Sequence, residues 1–148
     1  MPSARLAQAA DLIPLLELYR ASEVSATAEP IERAEQIWRE ILSNRSVAVF
    51  VSTMDARIAA SCMLISAPNL LRYGRQHAFL ENAVTHPELR GRGHGRAVVE
   101  AALSEAWTMD CHHVLMQSGR ADPRVHRFYQ LCGFEPGHRI GYVVRRPD

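Results

Sequence analysis

The chain has 148 residues, 47% of them hydrophobic, and its 17 basic and 16 acidic residues give a formal net charge of +1. This length supplies one ordinary hydrophobic core, so a single domain over residues 1–148 is expected. The near-neutral charge excludes the general attraction that drives nonspecific binding to nucleic acid. No stretch approaches the roughly 20 apolar residues of a membrane span, and three widely spaced cysteines suggest neither a disulfide framework nor a metal site. We therefore expect a cytoplasmic protein without a nucleic-acid, membrane or metal partner.

The first half of the chain predicts a strand, two helices and a hairpin. Residues 4–7 predict a short first strand, and the apolar residues from Leu12 to Tyr19 recur at helical spacing. Pro30 precedes an amphipathic stripe that continues to Leu42 and predicts the second helix. Residues 46–53 and 57–66 are rich in β-forming residues on either side of a short polar connection, which predicts a hairpin of strands two and three.

The second half predicts three elements and a closing pair of strands. Strand four covers residues 78–85, helix three covers 95–109 and strand five covers 113–117. Asp122 and Pro123 open a fourth helix, which Gly133 ends. Residues 134–136 and 141–145 are expected to close the sheet. The order of elements predicts an α+β unit with a central mixed sheet and four helices.

A glycine-rich turn, Arg90-Gly91-Arg92-Gly93-His94-Gly95, lies between strand four and helix three. Its small residues let a ligand approach the backbone, and the free N–H groups of the following helix favour an anion. A dinucleotide fingerprint would need glycine in place of Arg96, and a P-loop would need a lysine, which the chain lacks. Taken alone, the turn is also explained by glycines that merely permit positive φ.

Arg90, Gly93 and Gly95 form an Arg-x-x-Gly-x-Gly pattern that resembles the coenzyme A pyrophosphate loop of the GCN5-related N-acetyltransferase (GNAT) superfamily. Residues 122–134, with a Phe-Tyr pair and a Gly-Phe pair five residues on, resemble the second motif of that family. The resemblance covers nearly the whole chain and is strongest over residues 79–134. It implies the GNAT fold, a mostly antiparallel sheet of six to seven strands in which strands four and five splay apart. It also implies acetyl-coenzyme A as cosubstrate.

The same resemblance assigns the cofactor-binding residues. Backbone groups of Asn82, Ala83 and Val84 would bind the pantetheine arm and the thioester carbonyl, as a preorganised oxyanion site. Apart from the resemblance, His126 is a candidate base or cofactor contact, although a histidine on a helix face is more often simply exposed to solvent. The pyrophosphate would be held by the loop and the start of the helix, that is by Arg90, Gly91, Arg92, Gly93, His94, Gly95 and Arg96.

Two residues are candidate catalytic groups. Tyr129 occupies the position of the general acid in the family and could protonate the departing thiolate; the alternative is a packing tyrosine with a satisfied hydroxyl. Glu81 lies in an apolar strand and could accept the proton of the amine, or it could pair with an arginine. Glu81 with Asn82, and Asp122, resemble more weakly the glucosamine-phosphate N-acetyltransferase branch, although Asp122 is explained as an N-cap.

The chain contains no recognisable activated nucleophile, so we expect direct transfer to the primary amine of a small molecule in a ternary complex. Residues 22–30 and the loop before strand four would recognise this acceptor. In that loop, residues 70–75 form either an apolar slot with a cation or a dimerisation patch. A homodimer is implied by the family. The alternative function is a sensor or partner module that binds acetyl-coenzyme A without turnover.

Overall fold

The computed structural model describes all of residues 1–148, which form two compact units, residues 1–116 and residues 117–148. The first unit contains five strands and three helices, and the second contains one helix. The strands are β1 (Arg5–Leu6), β2 (Val47–Met54), β3 (Arg57–Ala67), β4 (Gln76–Thr85) and β5 (Cys111–Met116). The helices are α1 (Leu12–Ser22), α2 (Ile31–Ser43), α3 (His94–Thr108) and α4 (Pro123–Leu131).

The five strands form one mixed sheet in the order β1-β2-β3-β4-β5. Neighbouring strands are antiparallel except β4 and β5, which run parallel. The β4–β5 ladder ends where Leu80 pairs with Met116. The rest of β4 has no strand partner on that side, as expected for strands that splay apart. The four helices and the predicted β2–β3 hairpin are confirmed, with boundaries shifted by a few residues.

The predicted number of strands is wrong, because the sheet has five strands and not six or seven. Residues 134–136 and 141–145 are not strands, and β1 is only two residues long. Tyr142, Val143 and Val144 have high β-propensity, but they are 85%, 70% and 96% exposed and join no ladder. β-propensity describes how well a side chain fits a pleated, half-buried surface, so it cannot supply the partner strand.

The core explains why the predicted helices form where they do. The stripe of α2 buries Ala34 and Trp38, and the indole Nε1 of Trp38 donates to the carbonyl of Ala9 at 3.2 Å. Leu15 and Leu18 of α1 join Trp38 in a cluster with residues of the hairpin, namely Val49, Val51 and Ile58. The start of α1 is fixed by polar groups as well as by this packing.

Asp11, which precedes α1, is the centre of these polar contacts. Its carboxylate accepts from the guanidinium of Arg5 at 2.7 Å and from the backbone N–H of Gln8 at 2.7 Å. The hydrogen bond from Arg5 is the main cause that lowers the pKa of Asp11. Hydrogen bonds to the charged form favour that form, so Asp11 is held as a carboxylate where the chain leaves β1.

β2 is covered on both of its faces. Val49, Phe50, Val51 and Ser52 are buried in succession, whereas side chains along a strand alternate between its two faces. Val51 belongs to the cluster with α1, and Ser52 contacts His94 of α3. The sheet therefore lies between α1 on one side and α3 on the other. None of the helices is both long and apolar enough to cross a membrane.

Candidate functional site

The glycine-rich turn leads directly into the N-terminus of α3. Gly91 and Gly93 have φ values of +76° and +91°, which favour glycine, and Gly93 is the N-cap of the helix. The first helical hydrogen bond runs from the N–H of Ala97 to the carbonyl of Gly93 at 3.0 Å. The N–H groups of the three residues before Ala97 therefore precede the helical ladder. Together with the helix dipole, such N–H groups make the turn an anion site.

Arginine side chains surround this helix terminus. Arg90 and Arg92 are exposed, and neither takes part in an ion pair. Arg96 forms an ion pair with Glu100 one turn further along the helix, with Nε and Oε1 2.6 Å apart. Two unpaired guanidinium groups beside a helix N-terminus strengthen its attraction for phosphate.

The side chain of His94 points away from the surface of the turn. It is buried, 5% exposed, and its Nδ1 lies 2.8 Å from the Oγ of Ser52 in β2. Because the ring points inward, only the backbone N–H of His94 is available for the expected contact with a ligand. Ser52 was not singled out from the sequence, because a buried serine in a strand carries no signal of a partner 42 residues away.

A β-bulge interrupts β4 where the thioester was expected to bind. Glu81 pairs with Met63 and Val84 pairs with Ser61, so two residues of β4, Asn82 and Ala83, stand opposite one residue of β3. Asn82 has a φ of +51°, a left-handed conformation that asparagine tolerates better than most residues. The bulge lies past the end of the β4–β5 ladder, where the backbone edge of β4 is open. The register shift locally disrupts the ladder at these two residues.

Glu81 lies just before the bulge and is exposed. No ion pair of the structure includes it, so the expected alternative, an arginine partner, is not found. Phe79, two residues earlier on the same face of β4, is also exposed. An acid with an accessible carboxylate beside an apolar ring can meet an amine from solvent.

The second unit is built on α4. Asp122 is its N-cap, as predicted, because its carboxylate accepts from the backbone N–H of Arg124 at 2.9 Å. The guanidinium of Arg124 also donates to Asp122, and this bond is the largest cause that lowers the pKa of the carboxyl. Gly133 follows the helix with a φ of +99°, which confirms the predicted stop.

Tyr129 and His126 lie on α4 in different surroundings. The Tyr129 ring is half-buried and makes edge contacts with Phe128 and Phe134, with ring centroids 5.1 and 6.1 Å apart. Both distances lie in the range of favourable edge-to-face aromatic pairs. His126 is exposed. The catalytic role of Tyr129 and the ligand contact of His126 both stay predictions.

Two segments were expected to recognise the acceptor. A cavity of about 580 Å³ opens between the end of α1 and the start of α2, and it is lined by Arg20, Ala28, Glu29, Pro30 and Ile31. It overlaps the predicted segment 22–30. In the loop before β4, Leu70 and Tyr73 are fully exposed and Leu71 is 72% exposed. These side chains do not form a slot by themselves.

Known proteins resemble this chain in sequence and in overall fold. Residues 12–134 match the model of the Acetyltransferase (GNAT) family. One such protein is a solved structure from Agrobacterium tumefaciens str. C58, provisionally named an acetyltransferase, which is 38% identical in sequence. The superposition covers 97% of this chain and 99% of the other chain, with a TM-score of 0.89.

Two curated relatives match shorter regions. The aminoglycoside N(6')-acetyltransferase type 1 of Stenotrophomonas maltophilia is 36% identical over 66 residues, or 43% of this chain. The glucosamine 6-phosphate N-acetyltransferase of Trypanosoma brucei brucei is 29% identical over 91 residues, or 62% of this chain. The matches span 42% and 60% of these two relatives. Because the family model spans most of the sequence, including the glycine-rich turn and α4, the chain belongs to the Acetyltransferase (GNAT) family.

Proposed function

We propose that the protein transfers the acetyl group of acetyl-coenzyme A to a primary amine of a small molecule, directly and in a ternary complex. The observation that carries this proposal is the N-terminus of α3, where N–H groups that precede the helical ladder meet the exposed Arg90 and Arg92. This combination suits the pyrophosphate of coenzyme A, which carries two adjacent negative groups. Membership of the family supports the same ligand.

The open edge of β4 would bind the arm of the cosubstrate. Beyond Leu80, β4 lacks a strand on the β5 side, so its backbone can pair with the amides of pantetheine as it would with another strand. At the bulge, backbone groups near Asn82, Ala83 and Val84 would receive the thioester carbonyl and stabilise its developing negative charge. Fixed peptide dipoles are effective in this role because they need no reorganisation during the reaction.

Tyr129 would stabilise the departing thiolate, and this assignment depends on the family motif. With ordinary pKa values of about 10 for tyrosine and about 8.5 for a thiol, complete proton transfer is uphill by about 2 kcal/mol. We therefore assign Tyr129 a strong hydrogen bond to the sulfur in the transition state, which does not require complete proton transfer. Glu81 would accept the proton that the attacking amine must lose, since its carboxylate is exposed and not paired with an arginine.

The acceptor is a small amine, and the cavity between α1 and α2 is its proposed recognition site. A volume of about 580 Å³ lies within the range of small-molecule sites. Arg20 and Glu29 give this cavity one cationic and one anionic group, so it can orient a polar, hydroxylated amine. The names of the two curated relatives point to amino sugars and aminoglycosides as the first compounds to test.

The experiment is a thiol-release assay with acetyl-coenzyme A and a panel of amino sugars, aminoglycosides, polyamines and peptides. Turnover with one class, and none without acceptor, would support direct transfer and identify the acceptor class. A burst of coenzyme A without acceptor, together with acetylated protein, would overturn the ternary mechanism. Binding of acetyl-coenzyme A without turnover on any amine would overturn the enzymatic proposal and favour a sensor.

A further inference from the structure

The hydrogen bond between Ser52 and His94 has no role in the chemistry proposed above. Both side chains are buried, at 1% and 5% exposure, and the Oγ and Nδ1 atoms are 2.8 Å apart. Burying a hydroxyl and an imidazole in an apolar core is unfavourable unless they bond to each other. Two apolar side chains would fill the same space without needing a hydrogen-bond partner.

The position of Ser52 and His94 in the fold suggests what their hydrogen bond does. His94 is the first residue of α3 and follows Gly93, which has a φ of +91° and, without a side chain, restrains the backbone little. Gly93 has no side chain with which to cap the helix, and no side-chain cap is present. Ser52 lies on β2, whose neighbours Val51 and Phe50 are buried, so it is a fixed point. The bond therefore ties the first residue of α3 to the sheet.

We propose that Ser52 and His94 are positioning residues that hold the N-terminus of α3, and with it residues 90–93, in the conformation that binds the pyrophosphate. The inference deepens the proposed function and depends on it. Neither side chain touches the ligand. Both act through the backbone N–H groups at the start of the helix, because a hydrogen bond directed toward a phosphate weakens steeply when its donor turns.

The test compares Ser52→Ala with the same substitution at a second buried serine. Ser66→Ala removes another buried hydroxyl from the same sheet, near the opposite end of the β2–β3 pair, where Oγ bonds to the carbonyl of Ser46. Loss of one buried hydrogen bond at the helix terminus is expected to raise the Kd of coenzyme A about fivefold. Ser66→Ala should leave that Kd unchanged. His94→Ala should lose affinity as Ser52→Ala does, and His94→Asn, which keeps a polar group near the position of Nδ1, should lose less.

Two further measurements separate positioning from general destabilisation. In Ser52→Ala, KM for acetyl-coenzyme A should rise while kcat at saturation stays within about twofold, because the reacting groups are untouched. Without any ligand, amide hydrogen exchange should become faster in Ser52→Ala only, at Ala97 and Val98, whose N–H groups are the first in the helical ladder.

Unchanged exchange at Ala97 and Val98, or equal effects of Ser52→Ala and Ser66→Ala on the Kd, would overturn the proposal. Faster exchange at these residues in a protein whose wild type does not bind coenzyme A would support the anchoring of α3 and overturn the coenzyme A assignment. These measurements therefore distinguish a failure of the positioning role from a failure of the coenzyme A assignment.

Discussion

The two compact units hold their side chains in different ways. In residues 1–116, Val51 and Leu18 are at most 1% exposed, and helices cover both faces of β2. In residues 117–148, no residue of α4 is buried and the apolar side chains of residues 140–144 are exposed. A segment this short cannot enclose a core of its own. The first unit can therefore fix backbone groups precisely, whereas the second presents individual side chains on one capped helix.

This difference separates the two halves of the proposed reaction. Binding of the cosubstrate depends on backbone geometry in the first unit, at the bulge of β4 and the start of α3. Catalysis by Tyr129 depends on one hydroxyl in the second unit, whose assignment comes from a sequence motif. Substitutions at the start of α3 should therefore change the affinity for coenzyme A, and substitution of Tyr129 should change the rate of the chemical step.

The largest expected effect is on stability, in the core of the first unit. Leu18→Ala should lower the free energy of unfolding by about 3 kcal/mol, because it leaves a cavity beneath α1. Leu131→Ala, at a side chain of α4 that is 63% exposed, should change it by less than about 0.5 kcal/mol. Chemical denaturation of both variants measures the two values. Comparable losses would show that α4 contributes to stability as much as the core does.

The next effect is on the rate, in the second unit. Tyr129→Phe should lower kcat about 100-fold through the loss of the proposed acid, while the Kd of coenzyme A changes by less than about twofold. Tyr142→Phe, at an 85% exposed tyrosine of the same unit, is the control and should match the wild type. Steady-state kinetics and calorimetry supply the two numbers. A kcat unaffected by Tyr129→Phe would make this residue a packing tyrosine between Phe128 and Phe134.

The sequence predicted those parts of the fold that depend on local pattern. The stripe through Ala34 and Trp38, with Pro30 before it, determines both the face and the start of α2. Asp122 and Gly133 determine the ends of α4, since capping chemistry is local. The residues 141–145 show the opposite case. Their β-propensity is high, but a strand also needs a partner that local sequence does not specify.

The features of the site that the sequence missed all depend on residues far apart in the chain. The bulge at Asn82 arises from the register between β3 and β4, and only the asparagine within an apolar strand hinted at it. The bond between Ser52 and His94 joins residues from two elements that are not consecutive. For this reason the sequence assigned His94 to the ligand, while the structure places its ring in the interior.

A smaller effect than that of Tyr129→Phe, on the affinity for coenzyme A, is expected at Gly93, the N-cap of α3. Gly93→Ala adds a side chain at a φ of +91°, a conformation that alanine avoids, so the turn should relax and move the N-terminus of α3. We expect the Kd of coenzyme A to rise about tenfold. Gly74→Ala is the control, because Gly74 also has a positive φ, +77°, and lies in open space outside the turn. Isothermal calorimetry on both variants tests this expectation, and equal Kd values would remove residues 90–93 from the binding site.

The smallest effect concerns pH and compares Asp11, which precedes α1, with Asp122, which precedes α4. The bond from Arg5 lowers the pKa of Asp11, so the stability that this carboxylate contributes is present above its unfolded pKa of about 3.9 and is lost as the pH falls through the lower folded value. Asp11→Asn should therefore destabilise the protein by about 1 kcal/mol at neutral pH, and the difference from the wild type should shrink toward zero as the pH falls through the lowered pKa of the folded state.

Asp122→Asn in the second unit is the counterpart. The pKa of Asp122 is also lowered, chiefly by the bond from Arg124, but this pair is solvent-exposed and asparagine is an equally good N-cap. Global unfolding should therefore not respond to this substitution at any pH. Denaturation curves for both variants across the acid range give the comparison. A pH-dependent loss in Asp122→Asn as large as that in Asp11→Asn would mean that the cap of α4 is coupled to the stability of the core, and the contrast between the two units would then not extend to their energetics.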